Sequence, residues 1–239
     1  MRQRLVAVAH GTRDVKGVRT IRSVVRRVAW RLPEVEVVES YVELAEPSFA
    51  SVMATATGPT VVVPLLLSTG HHVNHDLPES ASLSGFPVTM GPPLGPHPLL
   101  AAAGAMQLRA AKAVRGDAVV LVAAGSKDPE AATQAVVAGR LLQGHWGAPV
   151  RVAFLSGSGP SVPEVFEQLR ACGHRRIATS PYLLAPGHFA NQAAALARAN
   201  GTTAVADVLG PHPLVAELVV RRYVAAAAAT SPAGRPRVA

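Results

Sequence analysis

Short runs of consecutive apolar residues alternate along this chain with longer stretches in which apolar positions recur every three or four residues. The runs fall near 5–9, 35–42, 61–67 and 87–90, then near 118–123, 150–155, 177–183 and 203–208. They are near-continuous in Val, Leu and Ala and do not alternate with polar residues, the pattern of strands covered by helices on both faces. Between the first two runs, Val15, Val18, Ile21, Val25 and Val28 keep helical spacing behind Asp14, a residue suited to cap a helix. Asp128-Pro129-Glu130 and Ser161-Val162-Pro163-Glu164 mark two further helix starts, the second with the Ser/Glu capping pattern. Strands and helices in alternation predict small parallel sheets with helical crossovers.

The pattern is written twice. Leu5-Val6-Ala7-Val8-Ala9-His10-Gly11-Thr12-Arg13-Asp14 returns as Val119-Val120-Leu121-Val122-Ala123-Ala124-Gly125-Ser126-Lys127-Asp128, and Gly95-Pro96-His97-Pro98-Leu99 returns as Gly210-Pro211-His212-Pro213-Leu214. A repeat of this length sets the fold expectation before any other feature. It predicts an α/β protein of two tandem (βα)4 domains, each with a small parallel sheet. The domains are expected at 1–115 and 116–229, followed by a flexible tail over 230–239.

Composition narrows the class. With 49% hydrophobic and 16% charged residues among 239, the chain is built to fold, and 4% aromatics leaves its cores to aliphatic side chains. The single cysteine, Cys172, excludes an intrachain disulfide framework and any all-cysteine zinc or iron–sulfur site. No apolar run reaches the ~18 residues of a membrane helix, and the chain enters a strand pattern without a signal-peptide pattern, so a cytoplasmic protein without a membrane partner is expected. The net charge of +8 comes without aromatic–basic interleaving, zinc-finger spacing or a dense basic block, so no nucleic-acid partner is expected. Arg19, Arg22, Arg26 and Arg27 read as the solvated face of one helix. A small polyanionic ligand would feel the same positive field.

Open parallel sheets bind ligands outside the carboxyl ends of their strands. Three candidate metal ligands fall there in the first half: His10 ending the first strand, Glu43 ending the second, and a histidine after the third. Spacing alone does not choose among His71, His72 and His75. Two imidazoles and a carboxylate suit Fe²⁺, Co²⁺, Ni²⁺ or Zn²⁺ with coordination positions left open. At the corresponding places the second copy has Ala124, Ser156 and Phe189, so one half reads as metal-competent and the other as a degenerate repeat. Asp76-Leu77-Pro78-Glu79 reads as a helix cap and first turn, and His97 and His212 as loop residues entering helices.

In these residues the chain resembles the small class II chelatases of the sirohydrochlorin chelatase family, the cobalt- and iron-inserting enzymes of cobalamin and siroheme synthesis. The resemblance lies in His10-Gly11-Thr12-Arg13, in Tyr41-Val42-Glu43-Leu44 followed by Pro47-Ser48, and in Pro64 through Pro78. The family form of that last stretch, Gly-x-His-Val-x-x-Asp-Leu/Ile-Pro, selects His72. The first half matches closely. The second matches more loosely, with His188 displaced by one place in Pro186-Gly187-His188-Phe189. The resemblance implies insertion of Fe²⁺ or Co²⁺, with Ni²⁺ also admitted, into an anionic tetrapyrrole with loss of two pyrrole protons. It implies metal-binding and catalytic roles for His10, Glu43 and His72, and no organic cofactor. It places the site in the cleft between the two domains, with the second half covering it and Arg13, Ser126 and Lys127 meeting substrate carboxylates; a monomer of two pseudo-symmetric halves is expected.

Two other readings share parts of this pattern. A metal or tetrapyrrole carrier would use the same groups without turnover. A non-heme iron oxygenase would also use two His and a carboxylate, but here they lie on separate strands without a His-x-Asp/Glu pair. A nucleotide-binding α/β protein would carry Gly-x-Gly-x-x-Gly or Gly-x4-Gly-Lys-Ser/Thr, and neither is present.

Overall fold

The computed structural model describes residues 3–70 and 72–230. The first copy folds as β1 (Gln3–Ala9), α1 (Val15–Arg31), β2 (Val35–Tyr41), α2 (Phe49–Ala54) and β3 (Thr60–Pro64). A π-helical turn (His72–Asp76) then leads into α3 (Leu77–Ala81), β4 (Val88–Met90) and α4 (Pro98–Ala110). The second runs β5 (Ala118–Ala123), α5 (Pro129–Trp146), β6 (Val150–Phe154), α6 (Val162–Ala171), β7 (Ile177–Tyr182), α7 (His188–Ala199), β8 (Ala204–Val205) and α8 (Pro213–Thr230). His71 and the expected tail beyond Thr230 lie outside the described residues.

Each half builds a four-stranded parallel sheet, ordered β2-β1-β3-β4 in the first and β6-β5-β7-β8 in the second. The central strands β1 and β5 are inaccessible along most of their length, as their unbroken apolar runs require. The helix starts follow the caps read from sequence. Asp14 accepts from the Lys16 N–H (2.8 Å), Asp128 accepts from the Glu130 N–H (2.9 Å), and Glu164 accepts from the N–H (2.7 Å) and hydroxyl (2.8 Å) of Ser161. Helix α1 buries Ile21, Val24, Val25 and Val28 and leaves Arg19, Arg22, Arg26 and Arg27 exposed.

The third strands stop at Pro64 and Tyr182, short of the apolar runs that continue to Leu67 and Leu183. Past those points the carbonyls leave the ladder. Leu66 O accepts from the Leu94 N–H (2.8 Å) and Leu183 O from the Leu209 N–H (2.9 Å), in equivalent places. The last strand narrows from the expected 203–208 to Ala204–Val205.

The two copies are interlocked by their final helices. Helix α4 closes the first copy in sequence but packs on α5 and β7 of the second, where Gly104 faces Leu142 and Ser180. Its Gln107 donates to the carbonyl of Val208 (3.1 Å). Reciprocally, α8 ends the second copy and packs on α1, β3 and β4 of the first. The Tyr223 hydroxyl donates to Gln3 Oε1 (2.7 Å), and Gly91 faces Ala226. One apolar core therefore runs through both sheets. The cleft walls are held by this exchange and not by a single linker.

Candidate metal site and cleft

Backbone geometry at the carboxyl ends of β1 and β2 places the first two side chains. The Val42 N–H donates to Ala9 O (2.9 Å) and the Glu43 N–H to His10 O (3.0 Å), so the two strands stay zipped beyond the sheet. Gly11 makes this approach possible. It has φ +106°, and a Cβ there would lie 1.7 Å from the Glu43 carbonyl oxygen. Gly125 repeats the arrangement in the second half, where a Cβ would lie 1.8 Å from the Ser156 carbonyl oxygen, with Ala124 and Ser156 in place of the histidine and glutamate. The backbone frame is shared; the donor atoms are not.

His72 arrives from the loop after β3, on the π-helical turn, a deformation frequent at functional sites. His10, Glu43 and His72 then offer ligand atoms that all lie within 4.8 Å of one another. His10 Nε2 is 3.5 Å from Glu43 Oε1, and the two imidazole rings stand perpendicular with centroids 4.7 Å apart. Bonds of about 2.0–2.2 Å at tetrahedral angles put donors roughly 3.3–3.6 Å apart, so side-chain rotations of about an ångström would close this set on a divalent ion. His10 and Glu43 are each nearly half exposed, which leaves coordination positions facing the cleft.

Asp76 has a role that sequence reasoning missed. It was expected to cap α3, but it makes no side-chain cap bond there; its Oδ2 lies 2.5 Å from His72 Nδ1. By accepting a hydrogen bond from Nδ1–H, the carboxylate favours the tautomer that presents the Nε2 lone pair to a metal. The signal available in sequence was the His/Asp pair four residues apart on a helical turn.

A cavity of about 540 Å³ opens beside the triad, between the two halves. His10, Thr12, Leu44, Leu65 and His72 line it from the first half, and Ala124, Ser126, Phe154, His188 and Phe189 from the second. The walls are mainly aliphatic and, among the described residues, include no lysine or arginine. Of the three residues expected to meet substrate, Ser126 lies on the wall. Arg13 and Lys127 each stand one residue beyond a lining residue, exposed, at corresponding places in the two copies. The Ser126 hydroxyl accepts from the Asp128 N–H (3.0 Å), so its own proton remains available to a carboxylate.

Contacts between the copies bracket the cavity. The buried Tyr182 hydroxyl donates to Leu67 O (3.0 Å), and burial raises its ionisation far above the usual phenol range. The Thr69 N–H donates to Gln134 Oε1 (2.8 Å), tying the His72 loop to α5. Gly17 packs against the Pro186 carbonyl, where a Cβ would come within 2.4 Å.

Comparison with known proteins follows the repeat. The model of the CbiX family matches residues 4–111 and again residues 118–226. The sirohydrochlorin ferrochelatase of Bacillus subtilis (strain 168) is 28% identical over 241 residues, spanning 93% of this chain and 91% of that protein. The sirohydrochlorin cobaltochelatase of Methanococcoides burtonii is 28% identical over 114 residues, 41% of this chain and 87% of that protein. Among solved structures, SirB from Bacillus subtilis with Fe³⁺ superposes with a TM-score of 0.81 at 27% identity, covering 96% of this chain and 97% of that one.

Proposed function

The chain belongs to the CbiX family, and on that premise we propose that it inserts Fe²⁺ or Co²⁺ into sirohydrochlorin or a closely related tetrapyrrole. The observation carrying this reading is the convergence of His10, Glu43 and His72 at the mouth of an apolar cavity between two α/β halves. Relatives that span one or both halves bear the names sirohydrochlorin cobaltochelatase and ferrochelatase, which supports the two metals. The same donor set would also accept Ni²⁺.

The metal is substrate, so the site must hold it and then release it. Two neutral imidazoles and one carboxylate in a half-exposed position give three ligands and an open side. The tetrapyrrole nitrogens would approach from that side and replace the protein donors one at a time. The aliphatic walls would bury the macrocycle faces, which have little hydrogen-bonding capacity of their own. Its carboxylates would remain at the rim, within reach of Arg13 and Lys127 on either side and of the Ser126 hydroxyl. The exposed cations explain how a polyanionic ligand is drawn to a cavity whose walls carry no positive side chain.

The test is an anaerobic absorbance assay with excess sirohydrochlorin and Fe²⁺ or Co²⁺, corrected for spontaneous insertion. Several turnovers per chain are expected. A spectral change that stops at one equivalent would establish a carrier instead. A rate no higher than the spontaneous one would refute the chelatase reading.

A further inference from the structure

Metal insertion removes two protons from the tetrapyrrole, and they must leave a plane whose one face is turned to the metal. We propose that His188 is the catalytic base that takes them on the opposite face, an inference that rests on the function proposed above.

Its position follows from the repeat. The loop after β3 leads into the π-helical turn that begins at His72, and the loop after β7 leads into the first turn of α7, where His188 and Phe189 stand at the corresponding place. The two loops make related contacts across the cleft. A Cβ on Gly187 would lie 3.1 Å from Thr12 Oγ1, and a Cβ on Gly70 would lie 3.8 Å from Ser126 Oγ. Thr12 and Ser126 are equivalent positions, as are Gly70 and Gly187, so the loops are related by an approximate twofold axis through the cavity. His72 therefore lines one wall, and His188 with Phe189 lines the other.

Chemistry on the two walls differs accordingly. On the first, His10, Glu43 and His72 are held together as ligands, and His72 Nδ1 is engaged by Asp76. On the second, Ala124 stands where His10 would be and Phe189 where His72 would be. The Ser156 hydroxyl donates to Ala124 O (2.8 Å), and the Tyr182 hydroxyl donates to Leu67 O. Among the described residues lining the second wall, His188 carries the one imidazole, whose neutral ring has a nitrogen lone pair able to accept a proton. Its ring meets Phe189 at a centroid distance of 5.6 Å and is exposed. Phe189 would supply apolar contact for the macrocycle while the imidazole faces a pyrrole N–H.

The step balances without a co-reactant. A pyrrole N–H bond breaks, its electron pair stays on nitrogen and becomes the nitrogen–metal bond, and the proton passes to a neutral ring nitrogen of His188. The exposed imidazolium gives that proton to bulk water and accepts the second.

The experiment compares wild type with His188→Ala and His188→Gln under anaerobic steady-state conditions, with Co²⁺ affinity measured separately. Wild-type turnover above the spontaneous rate comes first, because its absence would overturn the chelatase reading itself. With turnover established, both variants should lose about 100-fold or more in kcat, within the range of general-base contributions. Co²⁺ affinity and the KM for sirohydrochlorin should stay within about twofold, and added imidazole should restore rate to His188→Ala in proportion to its concentration. Undiminished kcat in either folded variant overturns the proposal. So does a loss that appears in KM and does not respond to imidazole, which would make His188 a binding contact. If His188→Ala fails to fold, His188→Gln with unchanged Co²⁺ affinity carries the comparison.

Discussion

Removing the Asp76 carboxylate should weaken metal binding without touching a metal ligand. Asp76 Oδ2 and His72 Nδ1 are 2.5 Å apart, and both side chains are about one-third exposed. The carboxylate holds the His72 ring orientation and keeps its proton on Nδ1, so Nε2 faces His10 and Glu43. Without it, the ring can rotate and half of its neutral tautomers present an N–H to the ion. Losses of such partners cost roughly 10–100-fold in metal affinity, about 1.4–2.7 kcal/mol. Partial exposure lets water replace part of the bond, so the expected loss for Asp76→Ala is about 10–30-fold. Asp76→Asn retains an acceptor oxygen without the charge and should fall between it and wild type. The assay is anaerobic titration with Co²⁺ at constant pH, followed by calorimetry and by visible absorbance. Asp76→Ala binding Co²⁺ within twofold of wild type, while His72→Ala loses binding, would refute the reasoning.

Three further outcomes are expected. His10→Ala, Glu43→Gln and His72→Ala should each abolish insertion and leave the circular dichroism spectrum and melting temperature near wild type, since these side chains are largely outside the core; near-wild-type turnover would sink the site assignment. Gly11→Ala should destabilise the fold by several kcal/mol and reduce metal affinity, because its Cβ would sit 1.7 Å from the Glu43 carbonyl and force β1 and β2 apart; urea unfolding together with Co²⁺ titration checks both effects. Asp117 joins the starts of β5 and β7 and is buried. Burial pushes its carboxyl up, but hydrogen bonds from Arg176 (2.7 Å), the Val114 N–H (3.1 Å) and the Thr203 hydroxyl (3.2 Å) outweigh this and hold it below the usual carboxylate range. A depressed folded value means stability that is full above the unfolded carboxylate value and lost as pH falls through the folded one. Asp117→Asn should therefore cost about 2 kcal/mol at pH 7 and progressively less as pH falls below the unfolded carboxylate value, and a gap that does not narrow toward acid pH would contradict this account.

Much of the site was legible because its determinants are local. A strand end followed by His10-Gly11 needs only the apolar run and the glycine to place an imidazole on the rim. The absence of the donor set from the second copy, which has Ala124, Ser156 and Phe189 at those places, is visible by laying one copy on the other. Choosing His72 from a stretch with three histidines took the family form and not spacing, since all three share one loop. Asp76 was misread as a cap because a carboxylate before Leu77-Pro78-Glu79 satisfies the capping pattern equally well; only the π-helical turn brings it onto His72. Likewise, sequence placed Arg13, Ser126 and Lys127 near the substrate, but it did not say that Ser126 faces the cavity while the two cations stand beyond its wall.

By itself the sequence determined the two copies, their strand–helix alternation, the helix caps and the asymmetry of donors, since each depends on residues close along the chain. The tertiary structure alone decided which sheet each final helix covers. Helix α4 buries Leu100, Ala101, Ala103, Gly104, Ala105 and Leu108, which lie around much of its circumference, so its pattern points to no single face. Burial energy is non-directional and would be satisfied by either sheet. The exchange of α4 and α8 follows from shape and hydrogen bonding between distant elements, and it brings the rim carrying His10, Glu43 and His72 in one copy opposite the His188 imidazole of the other.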